Sequence, residues 1–400
     1  MSHAQSAPFE LPAPTGPFAV GTTTWRLVDT SRPETLGAPG ESRNVEVHAW
    51  YPAAAAPRSE PAAYLRGGVA EVRTFATLFR APETSFDALA LVRTHATFDA
   101  PTVTEPRKLP VLVFSVGFTG IASYATALLE DLASHGYVVL NVVHPYEVTG
   151  ATLADGRVVT LLDDTGAPRQ AIRDVFAEWG LEDETMAAIT RAGSDDEQLR
   201  LTRQYLRTLT HTDAVVRRWV ADIRLVLDRL RTLPSATLAG QLAGRLDLAR
   251  LGVFGHSMGG VMAAQFYVED RRCRAGLNLD GIPQYGPMID RSMPRPFLMV
   301  YSARPGRAGA SDVVYRRAAH PYLRVDVADT RHLDFTDMAF WGGPLRERPV
   351  LGTIAPARIA EITRDVVRQY FDQELLGRRS PLLSGAQTLP EVAVLRKLPR

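Results

Sequence analysis

The sequence predicts an α/β protein in which helices cover both faces of a mostly parallel sheet of eight strands. Three observations support this fold class. Short apolar runs recur along the chain, and amphipathic helical patterns lie between them. Several of the runs are continuously apolar, which is typical of strands that are buried on both faces of a parallel sheet.

The elements follow one another in a regular order. Residues 1–17 carry four prolines and predict an extended N-terminal segment. Apolar residues at helical spacing predict a helix over 121–132, ended by Gly136, and a longer helix over 216–230, ended before Pro234. The eight predicted strands are 22–30, 45–53, 110–116, 137–144, 250–256, 275–280, 296–302 and 322–329.

The domain organisation is a single domain over 18–378 followed by a C-terminal tail over 379–400. Two intervals, 54–108 and 145–210, exceed the usual length of a connection and are interpreted as insertions. One helical face in the second insertion is apolar and consists of Ile172, Val175, Phe176 and Trp179. This helix either packs on the body of the protein or forms a lid over a substrate cleft.

The composition excludes several classes of protein. The chain has 400 residues, is 46% hydrophobic and 22% charged, and has a net charge of +1, which argues against a disordered chain and a nucleic-acid binder. The single cysteine, Cys273, excludes an intramolecular disulfide. We expect no metal, no cofactor, no transmembrane segment and, without a secretory pattern at the N-terminus, a cytoplasmic location.

The most specific motif is Gly-His-Ser-Met-Gly-Gly at residues 255–260, which follows a predicted strand and precedes a helical pattern. It matches the G-x-S-x-G pattern of a nucleophile on a sharp strand-to-helix turn. A serine hydroxyl is a weak nucleophile and requires an adjacent base. Ser257 is therefore the predicted nucleophile, and a glycine-rich turn with an idle serine is the alternative.

In serine hydrolases of this type the acid and the base follow the nucleophile along the chain. His332 lies in the loop after the last predicted strand, at the sheet edge where such sites form, and is the predicted base. Asp280, which ends a strand, is the first candidate for the acid, and Asp312 is the second. The amides of Met258 and Phe118 are the expected oxyanion donors.

These segments together resemble the platelet-activating-factor acetylhydrolase family of the plasma and type II kind, including its bacterial relatives. The resemblance extends from 21–29 to the helix at 357–371. The matching segments are VFSVGF (113–118), LASHGYVV (132–139), GHSMGG (255–260), NLDG (278–281) and HLDF (332–335).

The resemblance implies an α/β-hydrolase fold, with Ser257 as nucleophile, Asp280 as acid, His332 as base, and Phe118 and Met258 as oxyanion donors. It favours Asp280 over the later aspartate, because the family places its acid one strand earlier than most α/β-hydrolases. The family usually has a histidine before the glycine of the oxyanion loop. This chain has Val116 there, so the hydrogen bonding of the loop must differ.

The implied function is hydrolysis of short acyl esters, including those of phospholipids, with transient contact with lipid aggregates. A general short-chain carboxylesterase or polyester hydrolase is the alternative, because the motif GHSMGG also occurs in shorter, cutinase-like polyesterases. A catalytically inactive binding protein on a hydrolase fold is the second alternative. The sequence predicts neither the acyl chain length, nor the head group, nor the oligomeric state.

Overall fold

The structure, a computed structural model, describes residues 9–54, 60–282, 287–291, 293–316, 322–342 and 345–397. The strands are β1 (Ala19–Pro33), β2 (Ser42–Ala53), β3 (Pro61–Ala63), β4 (Arg93–Phe98), β5 (Leu109–Ser115), β6 (Val138–Val143), β7 (Ala151–Thr152), β8 (Val158–Val159), β9 (Leu246–His256), β10 (Cys273–Leu279), β11 (Phe297–Ser302), β12 (Tyr322–Val327) and β13 (Val392–Lys397). The helices are α1 (Val69–Leu78), α2 (Thr126–Ser134), α3 (Gln170–Glu178), α4 (Glu182–Arg191), α5 (Asp195–Leu206), α6 (Thr210–Arg229), α7 (Leu238–Ala243), α8 (Met258–Glu269), α9 (Asp312–Arg316), α10 (Met338–Trp341), α11 (Pro356–Leu376) and α12 (Pro381–Ser384).

Eleven of these strands form one sheet in the order β13-β12-β11-β10-β9-β5-β6-β2-β1-β4-β3. The six strands from β12 to β6 are parallel, whereas β2 runs antiparallel to β6 and to β1. The carboxyl ends of β5, β9, β10 and β12 therefore meet at one edge of the sheet. Ligand sites of open α/β sheets form at this edge.

The core lies on both faces of the sheet. In β5, Val111 and Val113 belong to one buried cluster, and Leu112 and Phe114 belong to the other. Side chains of α6 and α8 fill the first cluster, and side chains of α2 and α11 fill the second. The continuously apolar run of β5 is thus explained, because successive side chains of a strand point to opposite faces. The predicted mostly parallel α/β sheet with helices on both faces is confirmed.

The predicted number of strands is too small. All eight predicted strands form, but β3, β4 and β13 extend the sheet to eleven. The strands β3 and β4 come from the interval 54–108, and β13 pairs antiparallel with β12, so the expected tail at 379–400 contributes a strand. All three lie at or next to a sheet edge. β4 is only partly buried there, so its sequence lacks a continuous apolar run.

Two further differences concern the chain before α2 and the N-terminus. The helix expected over 121–132 begins only at Thr126, because residues 121–125 form a turn at the site edge of the sheet. Residues 9–17 contain no helix or strand, and the Thr15 amide donates to the Asp131 carboxylate at 2.8 Å. Within the described ranges, no helix combines the length and the apolar character needed to cross a membrane.

Candidate active site

Ser257 lies between the end of β9 and the start of α8, in a strained backbone conformation with φ of 56°. The turn is possible because glycines flank it. A Cβ atom on Gly259 would lie 2.1 Å from the Ser115 carbonyl oxygen, and one on Gly255 would lie 2.3 Å from the backbone of Gly259. The sharp turn lifts the serine hydroxyl above the edge of the sheet.

The structure brings Ser257, His332 and Asp280 into one hydrogen-bonded line. His332 Nε2 lies 2.9 Å from Ser257 Oγ, and His332 Nδ1 lies 2.7 Å from Asp280 Oδ2. The Asp280 carboxylate also accepts hydrogen bonds from the Ser302 amide at 2.9 Å and the Ser302 hydroxyl at 3.0 Å. The second candidate acid, Asp312, instead pairs with Arg324 at 2.8 Å.

Burial and a neighbouring arginine set the charges of this line. Burial alone would raise the pKa of the Asp280 carboxyl, but Arg304, at 2.9 Å, and the hydrogen bonds from His332 and Ser302 hold that pKa well below its usual range. Burial lowers the pKa of His332, and the charge of Arg304 lowers it further, while the Asp280 carboxylate opposes both effects. An ionised Asp280 beside a neutral His332 results at neutral pH.

The two backbone amides that we expected to be oxyanion donors belong to residues next to Ser257 in the chain or in the neighbouring loop. Met258 is the first residue of α8, so the helix itself provides no acceptor for its amide. No hydrogen bond within the described part of the chain uses the Phe118 amide. Gly117 allows the loop to approach, since a Cβ atom on it would lie 2.9 Å from Ser257 Cβ.

A cavity of about 200 Å³ opens beside this line. It is lined by Trp179, Glu182, Ser257, Met258, Val261, Asp280, Ile282, Arg304 and His332. Sequence reasoning did not identify Arg304 or Glu182, and neither stands in a recognisable motif. Burial raises the pKa of Glu182, which pairs with Arg307 at 2.9 Å.

The turn that follows helix α3 borders the cavity through Trp179, in the part of the insertion where we expected a packing helix or a lid. Ile172 and Val175 are buried, whereas 40% of Phe176 is exposed. The Trp179 ring lies 5.7 Å from the ring of Phe118, and its indole nitrogen donates to Thr212 at 3.1 Å. The segment is therefore packed on the body and borders the cavity at the same time.

The model of the family described as platelet-activating factor acetylhydrolase, isoform II, matches residues 3–345 of this chain. The chain belongs to this family. A platelet-activating factor acetylhydrolase of Cavia porcellus is 27% identical over 53% of this chain and 44% of its own length. A probable 1-alkyl-2-acetylglycerophosphocholine esterase of Arthroderma benhamiae is 23% identical over 72% of this chain and 66% of its own length.

A solved ferulic acid esterase from Streptomyces cinnamoneus has the same fold over nearly the whole chain. The TM-score is 0.71 at 30% identity, and the match covers 97% of this chain and 100% of the esterase. The similarity confirms the predicted α/β-hydrolase fold. By contrast, the match covers less than half the length of two mammalian relatives. It covers 44% of the Cavia porcellus acetylhydrolase and 40% of a platelet-activating factor acetylhydrolase of Bos taurus.

In this member of the platelet-activating factor acetylhydrolase family, a second serine–histidine–aspartate arrangement supports the loop around Val116. Ser115 Oγ lies 3.0 Å from His144 Nε2, and His144 Nδ1 lies 2.8 Å from Asp222 Oδ2. All three residues are fully buried, so no substrate can reach this serine. Nothing in the sequence marks this arrangement, because its members come from β5, the end of β6 and α6.

Of the two histidines that follow Ser257 in the sequence, the structure places His332 within hydrogen-bond distance of Ser257. His320 lies outside the described residues. Cys273 is buried in the sheet, and burial raises the pKa of its thiol far above the usual value. A buried thiol of this kind is unreactive. Among the described side chains, no group of His, Cys, Asp and Glu is arranged to hold a metal ion.

Proposed function

We propose that this protein is a serine carboxylic-ester hydrolase that forms an acyl-enzyme on Ser257. The observation that carries the proposal is the position of His332 between Ser257 and Asp280 at the wall of an open cavity. The Ser115 arrangement has the same residue types but is fully buried, so accessibility distinguishes the two. Membership of an acetylhydrolase family and similarity to a solved esterase support the same activity.

In the proposed acylation step, Ser257 Oγ attacks the carbonyl carbon of the ester while His332 Nε2 accepts the hydroxyl proton. The imidazolium then gives this proton to the departing alcohol oxygen, and the acyl group remains on Ser257. Asp280 accepts the Nδ1 proton of His332 in a hydrogen bond, which fixes the tautomer and stabilises the imidazolium. A water molecule, activated by the same histidine, releases the acyl group as a carboxylic acid.

The negative charge on the carbonyl oxygen in the transition state would be met by the amides of Phe118 and Met258. Such donors act on charge that develops during the reaction, and each is worth about 2.7–4 kcal/mol in the barrier. The start of α8 also directs the positive end of the helix toward this oxygen.

The substrate class that we propose is a short acyl ester, with the acetyl ester of a phospholipid as the specific candidate. The family name and the relatives named acetylhydrolase support it. A cavity of about 200 Å³ with apolar walls at Trp179, Val261 and Ile282 suits a small acyl group. The ferulic acid esterase, similar over 97% of this chain, favours a second candidate, a carboxylesterase for aromatic acyl esters.

A substrate panel tests these candidates. The panel contains p-nitrophenyl acetate, a 1-alkyl-2-acetyl-glycerophosphocholine and methyl ferulate, each with the wild type and with Ser257→Ala. We expect the wild type to hydrolyse p-nitrophenyl acetate and the acetylated phospholipid, and the variant to hydrolyse neither. Higher kcat/KM on methyl ferulate than on the phospholipid would move the assignment to the second candidate. Turnover that survives in Ser257→Ala, or no turnover of any ester by folded wild type, would refute the proposal.

A further inference from the structure

A buried chain of hydrogen bonds links the loop before α2 to the loop that carries His332. The Gly117 amide donates to the Tyr124 hydroxyl. Tyr124 Oη lies 2.9 Å from His256 Nδ1, and His256 Nε2 lies 2.8 Å from the carbonyl oxygen of His332. His256 occupies the variable position directly before the serine in the nucleophile motif, so the chain passes next to Ser257.

Only one arrangement of protons satisfies this chain. The Gly117 amide can only donate and the His332 carbonyl can only accept, so the direction is fixed at both ends. Tyr124 must therefore accept from Gly117 and donate its own proton to His256 Nδ1. The remaining proton of the neutral imidazole lies on Nε2 and is donated to His332. A protonated His256 would lose the bond from Tyr124, because both ring nitrogens would then be donors.

The surroundings maintain this neutral form. Tyr124 is 1% exposed and His256 is 2% exposed, so water does not compete for their hydrogen bonds. Burial, together with the charge of His332, lowers the pKa of His256 to about 3. Burial also raises the pKa of the Tyr124 hydroxyl. The order of protons is therefore preserved at any pH at which the protein would work.

The chain of hydrogen bonds contacts two loops of the site, the loop with Phe118 and the loop with His332, whose relative positions must be kept. The chain fixes Gly117, and the amide of the next residue, Phe118, makes no hydrogen bond within the described part of the protein. The other end of this chain of hydrogen bonds holds the backbone of the residue that is the proposed base. Because the His256 ring centroid lies 4.6 Å from that of His332, the same ring also supports the base from the side.

We propose that Tyr124 and His256 are positioning residues that hold the oxyanion loop and the His332 loop in register around Ser257. The inference rests on the proposed serine hydrolase function. Neither residue lines the cavity. We therefore expect both to affect the transition state and to leave ground-state binding unchanged.

The first test is Tyr124→Phe, which removes one hydroxyl and keeps the ring. The matched control is Tyr137→Phe, because Tyr137 is also buried and donates to Asp372 at 2.8 Å, at the opposite end of the parallel strands. On p-nitrophenyl acetate we expect Tyr124→Phe to lower kcat about tenfold or more and to leave KM nearly unchanged. This loss in kcat is smaller than the 10²–10³-fold loss that is typical of a deleted oxyanion donor. Tyr137→Phe should keep the kcat of the wild type.

The second test compares His256→Gln with His256→Leu. This pair of variants still tests the inference if Tyr124→Phe folds poorly. Glutamine can accept from Tyr124 and donate to His332, whereas leucine can do neither. We expect the glutamine variant to recover at least part of the kcat that the leucine variant loses. Equal kcat in both variants, or a normal kcat in folded Tyr124→Phe, would overturn the inference.

The reaction of wild type and Tyr124→Phe with a fluorophosphonate separates this inference from the function on which it rests. The phosphonyl oxygen occupies the oxyanion position when Ser257 Oγ bonds to phosphorus and fluoride leaves. We expect slower labelling of Tyr124→Phe, in proportion to its kcat. Labelling of both proteins at one rate would overturn the positioning role only. Failure of the wild type to be labelled would refute the proposed serine nucleophile itself.

Discussion

The groups around the imidazole of His332 have opposite effects on its pKa. Burial and the charge of Arg304 lower its pKa, while the bond to Asp280 raises it, and the net effect is a pKa below the usual value. A general base must be neutral to accept a proton, so activity falls as the pH falls through this pKa. Arg304, which shares Asp280 Oδ2 with His332, therefore extends the proposed activity to more acidic conditions.

The variant Arg304→Gln tests this account of His332. Removal of the positive charge should raise the pKa of His332 and move the acidic limb of the kcat/KM profile to higher pH. The matched control is Arg324→Gln, because Arg324 pairs with Asp312 and Asp326 and does not contact His332. A pH–rate profile of the three proteins measures the effect. An acidic limb that stays in place or moves to lower pH in Arg304→Gln contradicts the account.

The identity of the acid gives a second prediction. Asp280→Asn should lower kcat on the order of 10⁴-fold, because an asparagine no longer fixes the tautomer of His332. Asp312→Asn should leave kcat nearly unchanged, since its carboxylate pairs with Arg324 and not with His332. Steady-state kinetics on p-nitrophenyl acetate compares the two variants. The reverse ranking would assign the acid to the later position.

The sequence predicts the site residues that stand in a local motif. It does not predict the residues that reach the site through contacts between distant parts of the chain. Ser257 stands in a strand–turn–helix pattern, and His332 follows a strand, so both can be identified from local sequence. Arg304 and Tyr124 reach the site only because the chain folds. Arg304 contacts Asp280, which is 24 residues away, and Tyr124 contacts His256, which is 132 residues away. No local pattern records such contacts.

At the scale of elements, the same limit explains the strands that the sequence missed. β5 is buried at every position, and all of its residues except the last, Ser115, are apolar because both faces are covered. β4, with the sequence RTHATF, is partly exposed and pairs with the short β3 at the sheet edge. Edge strands need little apolar surface, so periodicity alone does not distinguish them from loops.

The segment around α3 gives a prediction at this scale. Trp179 lines the cavity, so Trp179→Ala should raise KM for a long-chain ester several-fold and change KM for p-nitrophenyl acetate little, because contact with remote substrate atoms is lost. The matched control is Phe176→Ala in the same segment, where the ring is 40% exposed and does not line the cavity. Melting temperatures are measured alongside. A destabilised Trp179→Ala with an unchanged ranking of substrates would contradict a covering role.

At the scale of the whole molecule, a buried cluster of charges joins several elements beneath the proposed oxyanion loop. Arg43 of β2 contacts Glu34 at 2.9 Å, Glu147 at 3.2 Å and Asp222 at 2.7 Å, and every side chain in the cluster is at most 1% exposed. Asp222 also holds His144, which bonds to Ser115 at the start of the loop. The cluster thus connects the stability of the domain to the geometry of the loop.

Arg43→Met should destabilise the protein by about 3–5 kcal/mol, because it removes the buried cation that three carboxylates share. Glu147 and Asp222 still pair with Arg218 and Arg32, but the buried Glu34 loses its arginine. Arg217→Met is the matched control, since Arg217 forms an exposed pair with Asp213 on α6 at 2.6 Å. The control should cost less than about 1 kcal/mol. Urea denaturation measures both free energies of unfolding. A loss in Arg43→Met no greater than in the control would show that the cluster does not stabilise the fold.

The central claim is that Ser257 is the nucleophile, and the residue that a fluorophosphonate modifies tests it most directly. In the described part of the chain, two serines are bonded to a histidine–aspartate pair. Ser257 borders a cavity, whereas Ser115 is fully buried. Peptide mass spectrometry of the labelled wild type should find one phosphonyl group, on Ser257, and Ser257→Ala should remain unlabelled. Labelling of Ser115, or of any serine in the folded Ser257→Ala variant at the rate of the wild type, would contradict the claim.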